Sequence, residues 1–220
     1  MDHFAGENLL CERGGRIVFA HLNFSVASGD VLVLTGRNGA GKSSLLRMMA
    51  GLLPPAAGTL QWNNENVGGD PLAHHGRLRF VAHTDALKPA LSVLENLRLW
   101  AALTRPPRDK ISLSECCHAA LDRMGMAKFA SVPARYLSAG QRRRLALARL
   151  FVAPARLWLL DEPRTALDSD GVARLDAAIE AQRSAGGLIC MALHGAPWPV
   201  GARFLDVGEY RETYGAATAW

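Results

Sequence analysis

Gly36-Arg37-Asn38-Gly39-Ala40-Gly41-Lys42-Ser43 (residues 36–43) is a glycine-rich stretch that ends in a lysine and a hydroxyl side chain. It follows the apolar run 31–34, which has the pattern of a buried strand, and precedes a predicted helix over 43–50. Glycines let backbone N–H groups turn towards phosphate oxygens, lysine supplies a positive charge, and a serine hydroxyl can hold Mg²⁺. The stretch therefore predicts a loop that binds a nucleoside triphosphate with Mg²⁺, and Ser44 is included among the predicted binding residues.

The composition is that of a single globular domain. The chain has 220 residues, 49% of them hydrophobic, and a net charge of +5, which suits one α/β domain with a sizeable core. No apolar run is long enough to cross a bilayer and the first residues lack the layout of a secretory signal, so we expect the chain in the cytoplasm. The four cysteines have neither metal-ligand nor Cys-x-x-Cys spacing, which predicts reduced thiols rather than disulfides.

Apolar runs and turn residues divide the chain into predicted elements. Residues 9–27 indicate an antiparallel hairpin, and further strands are predicted at 59–62, 80–82, 157–160 and 188–191. The apolar spacing becomes helical from Ser92, with an interruption at Pro106 and Pro107, whereas His74 and His75 are predicted to lie in a loop. The predicted fold class is α/β, with a mixed core sheet and an antiparallel β edge in about 1–87 and 151–220 and an inserted helical subdomain in about 88–150.

The apolar run 157–160 is followed directly by two carboxylates, Asp161 and Glu162. Open parallel sheets gather their ligands at the carboxyl ends of the strands, so this strand end is expected to face the phosphate loop. We predict that Asp161 binds Mg²⁺ and that Glu162 orients or deprotonates the water that attacks the terminal phosphate. Taken alone, the pattern also fits a strand that runs into an acidic turn.

A second candidate anion site begins at Leu137-Ser138-Ala139-Gly140-Gln141, where Ser138 is a typical N-cap of a helix that continues to Leu150. By itself this is equally a simple capped helix. Together with the two preceding motifs it resembles the ATP-binding cassette (ABC) family, whose signature reads Leu-Ser-Gly-Gly-Gln and precedes the Asp-Glu strand. The fold implied by the resemblance is a P-loop NTPase of the ABC type that covers essentially the whole chain.

In that family two subunits pair head to tail, and each ATP lies between the phosphate loop of one subunit and the signature of the other. The resemblance assigns Ser138, Gly140 and Gln141 to the ATP of a second copy of this chain. It assigns the segment 165–168, which ends at Asp168, to the loop that crosses between the two sites. It also assigns His194 to the terminal phosphate, so that the predicted catalytic residues are Lys42, Glu162 and His194.

Two positions depart from the usual pattern of the family. A glutamine that normally follows the strand 80–82 is replaced by His83, and imidazole is a poor Mg²⁺ ligand, so His83 would act at the nucleotide through a water or a hydrogen bond. The aromatic residue that normally stacks on adenine is also missing. Arg13 could lay its guanidinium plane over the base, and a solvent-facing arginine is the alternative.

These departures, with Cys11-Glu12-Arg13 and the run from Ser138 to Arg144, resemble the branch of the family that serves cytochrome c maturation. The resemblance implies a dimer under integral membrane subunits, peripheral to the cytoplasmic face of the bacterial inner membrane, that hydrolyses ATP in haem handling. The alternatives are an ABC ATPase of another exporter, or a soluble ABC ATPase that acts on a protein scaffold or nucleic acid.

The run Arg142-Arg143-Arg144 is the feature that most suggests nucleic acid. Apolar residues at 145, 147, 148 and 150 place it on a helix with one solvated basic side, and no aromatic platform or basic stripe accompanies it. We therefore expect no nucleic-acid partner.

Overall fold

The computed structural model describes residues 1–104 and 112–211. The predicted interruption at Pro106 and Pro107 lies outside the described residues. The strands are β1 (His3–Arg13), β2 (Arg16–Ala27), β3 (Val31–Thr35), β4 (Ala57–Trp62), β5 (Glu65–Asn66), β6 (Leu78–Val81), β7 (Leu157–Asp161), β8 (Leu188–Ala192) and β9 (Arg203–Asp206). The helices are α1 (Lys42–Met49), α2 (Pro71–Arg77), α3 (Val93–Thr104), α4 (Leu113–Arg123), α5 (Ala139–Ala148) and α6 (Ser169–Ser184), with short 3₁₀ turns between several elements.

The strands form two sheets. One is antiparallel, in the order β2-β1-β4-β5, and the other is parallel, in the order β6-β7-β8-β3-β9. Every residue of β7 and β8 is buried, which is typical of parallel strands covered on both faces. The predicted α/β class with antiparallel strands beside the core is confirmed, but the core sheet is parallel rather than mixed, because among the described residues the antiparallel strands pair only with one another in a sheet of their own.

Two hydrophobic clusters lie on opposite faces of the parallel sheet. On β3, Val31 and Val33 face the cluster formed with α3 to α6, whereas Leu32 and Leu34 face the cluster formed with α1, β1 and β2. This alternation follows from the two-residue period of a strand. The parallel sheet is therefore held between helices on one face and the antiparallel sheet with α1 on the other.

The described residues between 93 and 148 are mainly helical, as the apolar spacing predicts. Capping boxes begin two of these helices, with Ser112 and Glu115 at α4 and with Ser138 and Gln141 at α5. Each box satisfies backbone N–H groups that have no partner within the helix. The assignment of about 88–150 to a subdomain of its own stays a prediction. Among the described residues, no helix has both the length and the apolar character needed to cross a membrane.

The prediction of a loop at His74 and His75 is wrong, because both residues lie in α2. The Asp70 carboxylate caps this helix by accepting a hydrogen bond from the Ala73 N–H at 2.9 Å, and Pro71 occupies its first position, where proline costs no hydrogen bond. His74 is 1% exposed and its Nε2 lies 2.8 Å from the Met49 carbonyl oxygen. Burial lowers the pKa of His74, so the side chain is a neutral part of the core.

Candidate active site

The glycine-rich loop 36–41 connects the end of β3 to the start of α1. Gly36 and Gly41 have φ angles of 123° and 110°, in the left-handed region that L side chains rarely adopt. A Cβ on Gly41 would lie 2.8 Å from Val18 Cγ1 and 2.9 Å from Phe19 Cδ1. Gly41 therefore requires glycine because the loop backbone approaches β2 too closely for a side chain, and at Gly36 an added Cβ would lie 2.9 Å from Asp206 Oδ1.

Lys42 begins α1, and its side chain turns back over the loop. Its Nζ donates hydrogen bonds to the carbonyl oxygens of Gly36 at 2.7 Å and Arg37 at 3.2 Å. The loop backbone thus fixes the position of the ammonium group. A point charge held in this way suits the outer phosphates of a nucleotide.

Ser43 and Asp161 meet across the gap between α1 and the end of β7. The Ser43 hydroxyl donates a hydrogen bond to Asp161 Oδ1 at 3.1 Å. Asp161 is 1% exposed, and its Oδ2 is buried without a hydrogen-bond partner among the described residues. A buried carboxylate oxygen beside a hydroxyl suits Mg²⁺, which takes oxygen ligands and often binds through one or two protein groups plus phosphates and water. The described residues contain no cluster of three or more His, Cys, Asp or Glu that could hold a metal.

Glu162 follows β7 in a left-handed conformation, with φ of 49°. Its side chain lies between two imidazoles. Oε1 is 2.8 Å from Nε2 of His194, and Oε2 is 3.5 Å from Nδ1 of His83. The Thr165 hydroxyl donates a hydrogen bond to Oε2 at 3.4 Å. The ends of β6, β7 and β8 thus place the carboxylate among three polar groups, as expected for a general base that must be held in one orientation.

These residues line a cavity of about 660 Å³. Its lining includes all of the predicted catalytic residues and much of the predicted loop: Asn38, Gly39, Gly41, Lys42, Ser43, Ser44, His83, Asp161, Glu162 and His194. The loop residues Gly36, Arg37 and Ala40 do not line it. The sequence predictions missed three lining residues, Val18, Arg47 and Thr84. Helical spacing could have indicated Arg47, one turn after Ser43, whereas Val18 and Thr84 carry no local signal.

The signature residues lie outside this cavity. Ser138, which is exposed, accepts a hydrogen bond from the Gln141 N–H at 3.2 Å, and the Gln141 side-chain oxygen accepts one from the Ser138 N–H at 2.9 Å. Gly140 lies against the loop after β7, where an added Cβ would come within 2.7 Å of the Ala166 carbonyl oxygen. The predicted phosphate contacts of these residues therefore need a second copy of the chain.

Asp168 also lies outside the cavity and caps α6. Its carboxylate accepts a hydrogen bond from the Gly171 N–H at 2.9 Å and forms an ion pair with Arg144. The Arg144 guanidinium, together with the Gly171 N–H, holds the pKa of Asp168 below its usual value. The loop that is predicted to cross between two sites is thus tied to the signature helix of its own copy.

Arg13 lies at the tip of the β1-β2 hairpin, opposite Arg16. It is exposed and does not line the cavity. A contact between its guanidinium and adenine stays a prediction.

The prediction of a helix with one solvated basic side at 142–144 is wrong. Arg143 and Arg144 are 3% and 9% exposed. Every residue of α5 from Arg143 to its end is buried, so this part of the helix has no solvated side. The continuous apolar run 145–148 was the available signal, since an amphipathic helix carries polar residues on one face at every turn. Both arginines instead bind groups at the end of β7 and the loop that follows it.

The family comparison matches residues 19–165 to a model described as ABC transporter. A protein of Paramagnetospirillum magneticum named cytochrome c biogenesis ATP-binding export protein CcmA is 49% identical over 94% of each chain. Relatives with the same name are 49% identical in Rhodospirillum rubrum, over 87% of this chain and 79% of the relative, and 43% identical in Pseudomonas savastanoi, over 92% and 93%.

Solved structures show the same fold at lower identity. An ATP-binding subunit of an ABC transporter aligns with a TM-score of 0.81 at 21% identity over 93% of this chain and 86% of that subunit. An ABC transporter ATP-binding protein of Pyrococcus furiosus aligns with a TM-score of 0.79 at 21% identity over 94% and 98%.

Proposed function

This chain belongs to the ABC transporter family, and from that premise we propose that it is the ATP-hydrolysing subunit of a membrane complex for cytochrome c biogenesis. The observation that carries the proposal is the Glu162 carboxylate, held by His194 in the cavity that Lys42 and the glycine loop also line. The names of relatives at 43% identity and above support the biological setting.

In this proposal the loop residues and Lys42 bind the phosphates of ATP. Ser43 and Asp161 hold Mg²⁺, which when bound neutralises charge on the phosphate oxygens. Glu162 orients the attacking water and accepts its proton, while His194 fixes one carboxylate oxygen and faces the terminal phosphate. The buried Oδ2 of Asp161 and the 2.8 Å contact between Glu162 and His194 support these assignments.

Ser138, Gly140, Gln141 and Asp168 are proposed to complete the cavity of a second copy. Support comes from their position, since Ser138 is exposed at the start of α5 and none of the four residues lines the cavity of its own chain. The positive end of a helix dipole, at the helix start, attracts phosphate. ATP would then join two copies head to tail.

The proposed partner in the membrane is an integral subunit of the CcmB type, with a CcmC-like subunit as a second candidate. The chain would lie peripherally at the cytoplasmic face of the bacterial inner membrane. Leu99 and Leu103 on α3 are 40% and 71% exposed, and apolar side chains presented in this way suit a protein contact.

Complementation tests the function as a whole. The chain is expressed in a bacterium that lacks its own ATPase of cytochrome c biogenesis, and c-type cytochromes with covalently attached haem are measured. We expect the chain to restore them and to co-purify with a membrane subunit, and Lys42→Ala to restore none. A chain found only in the soluble fraction, without effect on these cytochromes, would favour the soluble ATPase.

His83 provides a prediction specific to this chain. His83→Ala removes the weaker of the two imidazole contacts to Glu162, so we expect ATP turnover to fall about tenfold, below the usual range for loss of a general base itself. His83→Gln retains a hydrogen-bonding side chain and is expected to keep most of the turnover. Steady-state kinetics would measure both variants, with His118→Ala, an exposed histidine of α4, as the control. Wild-type turnover in His83→Ala would exclude a role for this contact.

Gly140 provides a second prediction. The Cβ of Gly140→Ala would lie 2.7 Å from the Ala166 carbonyl oxygen, so either α5 or the loop after β7 must shift. We expect turnover to fall about tenfold or more, because small misplacements of catalytic groups carry costs of this order. The adjacent Ala139→Gly removes a methyl group from an exposed position. Its turnover should stay within about twofold of wild type, which is small beside the loss expected for Gly140→Ala. Equal turnover in the two variants would contradict the prediction.

A further inference from the structure

Arg143 is a buried cation whose contacts are mainly backbone oxygens. From α5 its guanidinium donates hydrogen bonds to three consecutive carbonyl oxygens, those of Asp161 at 2.7 Å, Glu162 at 2.9 Å and Pro163 at 3.3 Å. These carbonyls belong to the turn that follows β7. One side chain therefore binds the backbone on both sides of the candidate general base.

The same guanidinium also reaches the segment after β6. Its Nη1 donates to the Ala82 carbonyl oxygen at 2.8 Å and to Asp85 Oδ1 at 3.3 Å. Ala82 directly precedes His83, whose ring lies beside the Glu162 carboxylate. Arg143 thus ties together the two strand ends that bring His83 and Glu162 into contact.

The conformation of Glu162 explains why such a tie matters. Its φ of 49° is one that L residues rarely adopt, and surrounding contacts must impose it. Within the turn, the Glu162 N–H donates to the Ala192 carbonyl oxygen at 3.1 Å, and Arg143 binds the carbonyl on the other side. A planar guanidinium carries five N–H donors in a fixed arrangement, which the three donors of a lysine ammonium cannot reproduce.

We propose that Arg143 is a positioning residue for ATP hydrolysis, which holds the turn 161–163 so that the Glu162 carboxylate faces the attacking water. Arg143 lies on the helix that Ser138 caps, about one turn after Gly140. It therefore links the helix that would serve the ATP of a second copy to the hydrolytic residues of its own site. This inference rests on the proposed function.

A purely structural role is the alternative, because the partly buried ion pair between Arg143 and Asp85 could simply stabilise the fold. Arg149 offers a matched control. It follows on the 3₁₀ turn directly after α5, is 7% exposed, and stacks on the Trp100 ring at 4.5 Å without contacting the turn 161–163. Its replacement should perturb the core without moving Glu162.

The experiment compares Arg143→Lys, Arg143→Gln and Arg149→Lys in the full chain, assayed alone and with the membrane subunit that co-purifies with it. For both Arg143 variants we expect kcat to fall about 10- to 100-fold, with KM for ATP and the Kd for a non-hydrolysable ATP analogue within about threefold of wild type. Arg149→Lys should lower the thermal midpoint by about as much as the Arg143 variants do, while its kcat stays within about twofold of wild type.

A wild-type kcat in the Arg143 variants would overturn the inference, and so would an equal loss of kcat in Arg149→Lys. It would also be overturned if both Arg143 variants failed to fold while Arg149→Lys folded. A further arm separates it from the proposed function. In the Glu162→Gln background, Arg143→Lys should leave ATP-dependent dimerisation intact. The reason is that Arg143 acts only by positioning the Glu162 carboxylate, which this background lacks. If the wild type hydrolyses ATP and Glu162→Gln does not, failure of these arms rejects only the role of Arg143.

Discussion

Glu162→Gln is expected to lose ATP turnover by about 10²- to 10⁴-fold, the usual contribution of a general base, while it still binds ATP. Glutamine has the size of glutamate, and its side-chain oxygen can still accept the hydrogen bond that Oε1 now shares with His194 Nε2 at 2.8 Å. What the amide lacks is the ability to take a proton from water. Since binding and closure of the dimer would continue without hydrolysis, an ATP-bound dimer should accumulate.

The measurements are steady-state phosphate release and the ATP-dependent shift from monomer to dimer in size-exclusion chromatography. Glu180→Gln is the matched control, because Glu180 lies exposed on α6 in an ion pair with Arg183 at 3.2 Å. Such exposed pairs contribute little, so this control should behave as wild type. Unimpaired turnover in Glu162→Gln would refute the mechanism.

Asp161→Asn is expected to lose turnover by about 10²-fold or more, because the metal supplies several kcal/mol of charge stabilisation in such reactions. An amide retains the shape of the carboxylate and can still accept the hydrogen bond from the Ser43 hydroxyl, which is now 3.1 Å from Oδ1. It loses the negative charge that attracts Mg²⁺. In metal-free buffer the variant should nevertheless be at least as stable as wild type, since a buried charged oxygen without a partner costs free energy.

Turnover as a function of Mg²⁺ concentration and the thermal midpoint in EDTA would check both parts of this expectation. Asp122→Asn on α4, an exposed position, serves as the control and should change neither quantity. A variant at position 161 with the Mg²⁺ dependence of the wild type would exclude Asp161 as a metal ligand.

Local motifs allowed much of this protein to be predicted from its sequence. The loop 36–41 lies between a buried strand and a helix, and Asp161 ends a buried strand, because the residues that determine each of these conformations are adjacent in the chain. The hairpin at 9–27 and the helices after Ser92 follow from turn residues and apolar spacing in the same way. The roles predicted for Lys42, Glu162 and His194 stay predictions, which the variants above would test.

Predictions that depended on distant neighbours were less successful. The predicted loop at His74 is a helix, and Asp70 and Pro71 were a local signal for its start. No residue near 74, however, indicates that the His74 imidazole reaches the Met49 carbonyl oxygen. The arginine run at 142–144 has the composition of a solvated surface, yet Arg143 lies in the core because the carbonyls of the turn 161–163 and of Ala82 surround it. In both cases a buried polar side chain binds backbone carbonyl groups from elsewhere in the chain.

The sequence by itself determined the nucleotide loop, the acidic strand end, the signature helix and the α/β class, since short-range backbone preferences and apolar periodicity encode each of them. Only the tertiary structure decided that Glu162 lies between His194 and His83, and that Arg143 holds the turn beneath it. Those contacts join the ends of three parallel strands and a helix from different parts of the chain. Their geometry depends on how the layers pack, which no local pattern of residues specifies.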